Sequence, residues 1–100
     1  MSFYVYVLYS QSKNQFYKGQ TNNINERLKR HNQAKEKSTQ SGIPWILLWY
    51  TSKPSRAKAI LLEKKLKNLS RKRTIEFLLK YREDIVSPDE LKFLLQLSEY

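Results

Sequence analysis

The stretch FYVYVLY, residues 3–9, decides the predicted fold of this 100-residue chain. It is rich in aromatic and β-branched residues and apolar on both faces, a composition typical of a buried strand. Side chains alternate along a strand, so odd-numbered residues should lie on one face and even-numbered ones on the other. A polar turn, SQSKN at 10–14, leads to FYKGQ at 16–20, and the two apolar segments therefore predict a β-hairpin.

A helix is predicted directly after the hairpin. Asn23 and Glu26 have the spacing of a capping box, with Asn23 as the N-cap. Ile24, Leu28 and His31 then recur at helical spacing and should share one face of the helix. The polar segment that follows, residues 33–42, is predicted to be a loop.

The rest of the chain supplies a third strand and three more helices. The run WILLWY at 45–50 favours a strand because it is short and rich in aromatic residues. Ser55 should cap the next helix. The apolar stripe of that helix is Ala59, Leu62, Leu66 and Leu69, widened by Ile60 and Leu61. Another helix is predicted near 72–81, and the sequence SPDE at 87–90 is typical of a further helix start.

The predicted order is β-β-α-β-α-α, followed by an extra C-terminal helix. This order indicates an α+β fold, in which a three-stranded antiparallel sheet is flanked by helices. We expect residues 1–82 to form the main domain. Residues 83–100 should form a helical extension packed on the same domain.

The charge of the chain indicates a polyanionic partner. Lys plus Arg number 19 and Asp plus Glu number 9, which gives a net charge of +10. Five of the acidic side chains lie in residues 81–100, so the basic surface should belong to residues 1–80. Charge alone leaves open a soluble basic protein with no such partner.

Several classes of site are excluded by composition. Cysteine is absent and His31 is the only histidine, which excludes a disulfide framework and a zinc site built from thiolates or several histidines. No apolar run of the sequence approaches the ~20 residues of a membrane span. No signal-peptide pattern opens the sequence. We therefore expect a cytoplasmic protein that does not bind membranes.

Two tripeptides border the predicted hairpin turn, Tyr4-Val5-Tyr6 and Tyr17-Lys18-Gly19. Arg27 and His31 follow on the first helix, and Glu63 is the only acid on the basic second helix. In these residues, over positions 3–80, the chain resembles the GIY-YIG nuclease superfamily. It is most similar to the small stand-alone bacterial members, which consist of little more than the nuclease domain.

Further segments add to the resemblance, and some positions depart from it. Lys37-Ser38-Thr39 and Pro44-Trp45 resemble a segment of the small stand-alone members. The first tripeptide has Tyr4 where the family has glycine, and the second has Lys18 where isoleucine is usual. Many members carry a late Asn or Gln near the site, for which Asn68 is a weak candidate here.

The resemblance implies a divalent-metal-dependent nuclease. Its catalytic residues would be Tyr6, Tyr17, Arg27, His31 and Glu63. Glu63 would hold Mg²⁺ or Mn²⁺, and a lone carboxylate suits this role because Mg²⁺ keeps several waters and takes other ligands from substrate phosphates. Arg27 would hold the scissile phosphate with its planar fork. The alternatives are a solvated Glu63 paired with Lys67 and a solvated helical Arg27.

The remaining roles concern the attacking water. The family suggests Tyr6 as the general base and Tyr17 as the residue that positions water or phosphate. His31 would orient the water or a tyrosine, or relay a proton, since its pKa lies near neutrality. Gly19 would let the backbone approach the site closely. The alternative is that the two tyrosines and the histidine are core residues with satisfied polar groups.

Other basic side chains should form a phosphate-binding surface that does not read sequence. They are Lys18, Lys29, Arg30, Lys35, Lys37, Arg56, Lys64, Lys65, Arg71, Lys72 and Arg73. The nucleic acid would be DNA in the first place, or RNA, chosen by structure or strandedness. Trp45 and Trp49 could stack on bases, but the strand pattern favours core positions for both.

Two other functions remain open from the sequence. One is a nucleic-acid-binding module that keeps the nuclease fold without catalysis. The other is a docking domain of a repair complex, whose acidic last helix binds a protein partner. Exposure of Phe93 and Leu97 would favour the docking domain. The oligomeric state is left open.

Overall fold

The computed structural model describes residues 2–98, and it confirms the predicted α+β class. Three strands form the sheet: β1 (Phe3–Ser10), β2 (Gln15–Thr21) and β3 (Trp45–Lys53). Four α-helices follow or separate them: α1 (Ile24–Asn32), α2 (Arg56–Lys67), α3 (Arg71–Lys80) and α4 (Pro88–Leu97). Short 3₁₀ helices span Lys37–Gly42 and Arg82–Asp84. None of the described helices is long and apolar enough to cross a membrane.

The sheet is antiparallel throughout, with the strand order β2-β1-β3. In the register of this sheet, Tyr6 lies between Gly19 of β2 and Tyr50 of β3. The register of β1 with β3 shifts between Val7 and Leu8, which marks a bulge. Because β1 is the central strand, its even-numbered side chains lie in the middle of one sheet face.

The alternation predicted along β1 divides the core into two parts. Val5, Val7 and Tyr9 are buried on one face, where they pack with Ala59 and Leu66 of α2. On the other face Tyr6 and Leu8 are buried with Trp45, and Ile24 and Leu28 of α1 pack against them. The helices α1 and α2 therefore cover opposite faces of the sheet. The predicted core positions of Trp45 and Trp49 are confirmed.

The helix caps agree with the sequence only in part. Asn23 and Ser55 cap α1 and α2 as predicted, since their side chains accept hydrogen bonds from the backbone N–H groups of Glu26 and Lys58. The reciprocal half of the capping box is absent from the described residues, because the N–H of Asn23 donates to Thr21 Oγ1 instead. The helix start predicted at residues 87–90 is confirmed, since α4 begins at Pro88, but the Ser87 hydroxyl donates to the Glu90 carboxylate and caps no backbone N–H group.

Two further expectations need correction, and one open alternative loses its support. Leu61 does not widen the apolar stripe of α2, because it is 68% exposed. The segment predicted as a loop, residues 33–42, contains the 3₁₀ helix Lys37–Gly42. Phe93 and Leu97 of α4 are partly buried against the larger core part, so the exposure that would favour a docking helix is not found. The predicted division after residue 82 stays a prediction, and its residues 1, 99 and 100 lie outside the described residues.

Arg71, at the start of α3, binds the turn of the hairpin. Its guanidinium donates to the backbone oxygen and the side-chain Oδ1 of Asn14, each at 2.9 Å. It also lies over the rings of Tyr9 and Phe16, at 5.8 and 5.6 Å from their centroids. Asn14 has a φ of 53°, a left-handed conformation that asparagine tolerates better than most residues. Arg71 thus joins two chain segments that are distant in sequence.

Candidate active site

Tyr6 lies at the centre of the sheet face that α1 covers. Its hydroxyl lies against the backbone of Gly19, the residue paired with Tyr6 on β2, and a side chain at residue 19 would collide with it. A Cβ atom at residue 19 would lie 2.6 Å from Tyr6 Oη and 3.1 Å from Tyr17 Cε1. The close approach expected at Gly19 is therefore to the two tyrosine side chains, for which the glycine leaves room.

A chain of hydrogen bonds connects Tyr6 to the 3₁₀ helix through His31. Tyr6 Oη lies 3.0 Å from His31 Nε2, and His31 Nδ1 lies 2.9 Å from Thr39 Oγ1. The Thr39 hydroxyl donates to the backbone oxygen of Glu36 at 3.2 Å. Tyr6, His31 and Thr39 are all buried. We call this chain the Tyr6–His31–Thr39 relay.

The relay fixes the proton positions in its neutral form. Since the Thr39 hydroxyl donates to a carbonyl, its oxygen accepts the Nδ1–H of His31. His31 Nε2 is then an acceptor, and the hydroxyl of Tyr6 donates to it. The relay therefore holds His31 in the tautomer that can take a proton from Tyr6.

Tyr17 and Arg27 border the relay. The ring of Tyr17 lies edge-on to the ring of His31, with centroids 4.9 Å apart, and 6.3 Å from the ring of Tyr6. Arg27 is half-buried on α1, one helical turn before His31. Its positive charge acts to lower the pKa of the Tyr6 hydroxyl. The structure thus brings together Tyr6, Tyr17, Arg27 and His31 on one side of the sheet.

Burial keeps both titratable members of the relay neutral. It raises the pKa of the Tyr6 hydroxyl well above its ordinary value, and Tyr17 adds to this increase while Arg27 opposes it. Burial also lowers the pKa of His31; Glu36 opposes this decrease, whereas Arg27 and Arg30 add to it. At neutral pH the relay therefore contains a neutral phenol and a neutral imidazole.

The lowered pKa of His31 should make the protein less stable in mild acid. Below pH ~6.5 the unfolded chain binds a proton at this residue before the folded chain does. Its contribution to stability is complete above that pH and is lost as the pH falls through the lower pKa of the folded state. Urea midpoints between pH 8 and pH 5 should decline for the wild type. The decline should be smaller for His31→Gln, and equal declines would contradict this linkage.

Two residues that support the relay were not among the sequence-predicted site residues. Thr39 belongs to the segment Lys37-Ser38-Thr39 that resembles the small stand-alone members, but the sequence predicts no role for it. Asn32 binds the backbone at the start of β3. Its Oδ1 accepts from the backbone N–H of Trp45 at 2.6 Å, and its Nδ2 donates to the backbone oxygen of Trp45 at 3.1 Å. The indole N–H of Trp45 in turn donates to the backbone oxygen of Thr39 at 2.7 Å. The polar clusters near residues 32 and 39 were the available signal, but their partners are remote in sequence.

Glu63 is the predicted catalytic residue that the structure does not join to the relay. The resemblance implies one catalytic site for Glu63 and the other four residues, but α2 covers the opposite face of the sheet. The reason is the alternation of β1, which directs Tyr6 to α1 and its neighbours to α2. Among residues 2–98 the one ion pair of Glu63 is with Lys67, at 3.6 Å.

The position of Glu63 along and around α2 can be derived from its neighbours. Leu62 and Lys65 face a cavity between β3 and α3. Successive helical residues are 100° apart, so Glu63 lies on the opposite flank, towards the outer strand β2, which α2 also contacts. Arg56 at the start of α2 lies over Phe3, at the end of β1 remote from the turn.

The donor set around Glu63 fits a divalent cation only in one mode of binding. Its side chain is 17% exposed, and within residues 2–98 no group of three or more His, Cys, Asp or Glu side chains comes together. Mg²⁺ is commonly bound through one or two carboxylates, with waters and substrate phosphates as the other ligands. The residues present fit that mode, in which the nucleic acid completes the site.

The predicted phosphate-binding residues lie on both sides of the sheet. One group is on α1 and the segment after it, and another is on α2 and the start of α3; except for the half-buried Lys18, all are exposed. Some have partners within the protein. Arg30 pairs with Glu36 at 2.8 Å, Lys65 lies over the ring of Phe77 at 5.6 Å, and Arg71 holds the hairpin turn.

Comparison with known proteins identifies the family of the chain. The family model described as the GIY-YIG catalytic domain matches residues 2–76. A solution NMR structure, that of the UPF0213 protein BH0048 from Bacillus halodurans, is similar to this chain with 32% identity and a TM-score of 0.53. The match covers 90% of this chain and 92% of that one. No curated protein matches significantly. From the family match and the shared fold, the chain belongs to the GIY-YIG family.

Proposed function

We propose that this protein is a divalent-metal-dependent endonuclease that hydrolyses phosphodiester bonds in DNA or RNA. It would choose its substrate by structure and not by sequence, with Mg²⁺ or Mn²⁺ as the cofactor. Membership of the GIY-YIG family makes nuclease activity the general expectation. The observation that carries the proposal is the buried relay, in which Tyr6 Oη meets His31 Nε2 at 3.0 Å. The same contacts also satisfy the polar groups of a purely structural core, and the cleavage rate of Tyr6→Phe distinguishes the two roles.

In the proposed reaction the relay activates a water molecule. Tyr6 Oη takes a proton from the water while its own proton moves to His31 Nε2. The water oxygen forms a bond to phosphorus, and the bond from phosphorus to the leaving oxygen breaks. The leaving oxygen takes a proton from solvent. Because the Tyr6 pKa is raised by burial, this transfer to His31 is what makes the phenol usable as a base.

The other residues stabilise the phosphate and the charges that develop. Arg27 donates two hydrogen bonds to phosphate oxygens, a geometry that its planar fork allows and a lysine does not. The negative phosphate also offsets the cost of the positive charge that His31 gains. Thr39 keeps the imidazole in the accepting tautomer, so it is a positioning residue. Glu63 would hold a divalent cation, which would neutralise charge on a phosphate of a substrate that extends around β2.

A non-catalytic binding module is the second candidate, and the position of Glu63 favours it. Its carboxylate lies on a helix that covers the opposite sheet face from the relay, so the site is complete only if the substrate extends around β2. The docking-domain alternative has no comparable support, because Phe93 packs edge-on against Tyr9 with centroids 5.3 Å apart. A protein partner through α4 stays a prediction from the sequence.

The proposed function is tested by incubating the protein with single-stranded, double-stranded and branched DNA and RNA. Cleavage is expected with Mg²⁺ or Mn²⁺ and not with EDTA. Binding should weaken steeply with salt, because each phosphate contact releases counterions. Salt-indifferent binding between ~50 and ~200 mM would contradict the nucleic-acid assignment. Tight, salt-dependent binding without cleavage by either ion would favour the binding module.

A further inference from the structure

A groove with a volume of about 470 Å³ lies on the same sheet face as the relay. It is bordered by the start of α1, by β1 and β3, and by Val86. Val86 is fixed there because its N–H donates to the Leu48 oxygen at 3.0 Å. The volume is in the range of small-molecule sites. The reaction proposed above uses no residue of this groove.

The lining of the groove differs from the rest of the protein surface. Although the chain has a net charge of +10, no charged side chain is among the described residues that border the groove. Its walls are aromatic, aliphatic or amide groups: Tyr4, Tyr50, Ile24, Leu47, Val86 and three asparagines. A neutral, partly aromatic groove in a basic protein suits the uncharged part of a nucleotide and not its phosphate.

The aromatic wall is a pair of tyrosines. Tyr4 and Tyr50 pack edge to face, with centroids 6.0 Å apart and planes at 72°. Tyr50 remains 39% exposed, unlike the buried Tyr6 beside it in the sheet. Every nucleobase has a π-face, so an exposed, fixed ring is a platform on which any base can stack.

The amide wall can bind the edge of a base. Asn22 and Asn25 are exposed, and within residues 2–98 neither side chain has a hydrogen-bond partner in the protein. Asn23 differs, because its Oδ1 accepts from the Glu26 N–H. An amide offers donors and an acceptor together, which matches the Watson–Crick edge of a base. That edge is available only when the base is unpaired.

The groove adjoins the pocket that contains Arg27, since Asn22 and Asn23 line both. The other residues of this second pocket are Thr21, Glu26, Arg27 and Arg30, and its two arginines outnumber its one carboxylate. A phosphate at Arg27 and a base in the groove would therefore belong to one nucleotide or to adjacent ones. We propose that the groove binds an unpaired nucleobase of the nucleic acid whose phosphate Arg27 holds.

This proposal deepens the proposed function and rests on it. It predicts that the protein prefers single strands, flaps or other unpaired segments, in DNA or in RNA, over a continuous duplex. The base would be bound by stacking and by its pairing edge, whereas contacts to phosphates do not require an unpaired base.

The test measures metal-free binding of a labelled single strand and of its duplex by fluorescence anisotropy, with DNA and with RNA. Tyr50→Ala should weaken single-strand binding between about five-fold and about 100-fold and leave duplex binding unchanged. Tyr50→Phe, which keeps the ring, should bind as the wild type does. Tyr81→Ala is the matched control, since Tyr81 is similarly exposed at 37% but lies outside the groove.

A second variant covers the case in which Tyr50→Ala does not fold. Asn25→Ala changes an exposed helical residue and should weaken single-strand binding several-fold with no effect on the duplex. A strand containing 2-aminopurine should lose fluorescence on the wild type and keep it on Tyr50→Ala. If the two variants weakened binding to the single strand and to the duplex equally, or did not weaken binding to the single strand, the base site would be overturned. If the wild type cleaved no substrate, or if its binding did not depend on salt, the proposed function would be overturned instead.

Discussion

Glu63→Gln should abolish metal-dependent cleavage and leave nucleic-acid binding in place. Glu63 is the residue whose proposed role exists only for catalysis, because it holds the metal. Its negative charge opposes phosphate binding, so metal-free affinity should stay the same or rise by about 1 kcal/mol or less for a screened charge. Stability should change little, because glutamine has the same size and shape as Glu63, and an i,i+4 pair such as that with Lys67 at 3.6 Å stabilises a helix by about 0.2–0.5 kcal/mol. Single-turnover cleavage rates and Kd values check both statements.

Two variants make the Glu63 experiment specific. Glu76→Gln removes an exposed carboxylate from α3 and should leave cleavage unchanged. Arg27→Ala should weaken both cleavage and binding, since Arg27 contacts phosphate in either state. Cleavage by Glu63→Gln at the wild-type rate would refute the proposed metal site. It would also mean that the face opposite the relay takes no part in the reaction.

Tyr6→Phe should reduce cleavage by about 100-fold to 10,000-fold, the usual contribution of a general base. The ring and its packing stay, and only the hydroxyl that donates to His31 Nε2 is removed. Stability should also fall, by about 1–3 kcal/mol, because a buried acceptor loses its partner. The measurements are kcat/KM and the free energy of unfolding in urea.

Tyr9→Phe separates catalysis from stability in this experiment. Tyr9 is also buried on β1, but on the opposite face, and its hydroxyl donates to Asn14 Oδ1. It should lose stability without losing cleavage. If Tyr6→Phe and Tyr9→Phe lowered cleavage equally, the loss would reflect stability, and Tyr6 would not be the base.

Local features of the structure could be predicted from the sequence because they depend on nearby residues. The alternation of β1 placed Tyr6 and Val5 on opposite faces, and helical spacing placed His31 on the face of α1 that contains Leu28. The N-caps at Asn23 and Ser55 follow from side chains three residues from their partners. In each case the periodicity of one element determines the result.

Features that depend on the packing of remote elements could not be predicted. Thr39 is in a segment without apolar periodicity, and only the folded chain places its hydroxyl on His31. The sequence also does not specify which sheet face α2 covers, so Glu63 was expected beside Tyr6. At Ser87 the sequence locates the helix start but does not specify that the hydroxyl bonds the Glu90 carboxylate and caps no N–H group. The resemblance to a family supplied the candidate residues, but not their arrangement.

The strand order leaves the two borders of the sheet in different states. The outer side of β3 is partly covered, since Trp49 forms a bridge with Ile85, while β2 is the terminal strand on the other side. A terminal strand exposes unpaired backbone groups on which another chain can add a strand, which is a route to aggregation. The sequence QFYKGQT of β2 limits this risk with Lys18, because a charged side chain on a terminal strand disfavours pairing with another chain. Replacing Lys18 by an apolar β-former would remove that protection, so solubility as well as chemistry constrains this strand.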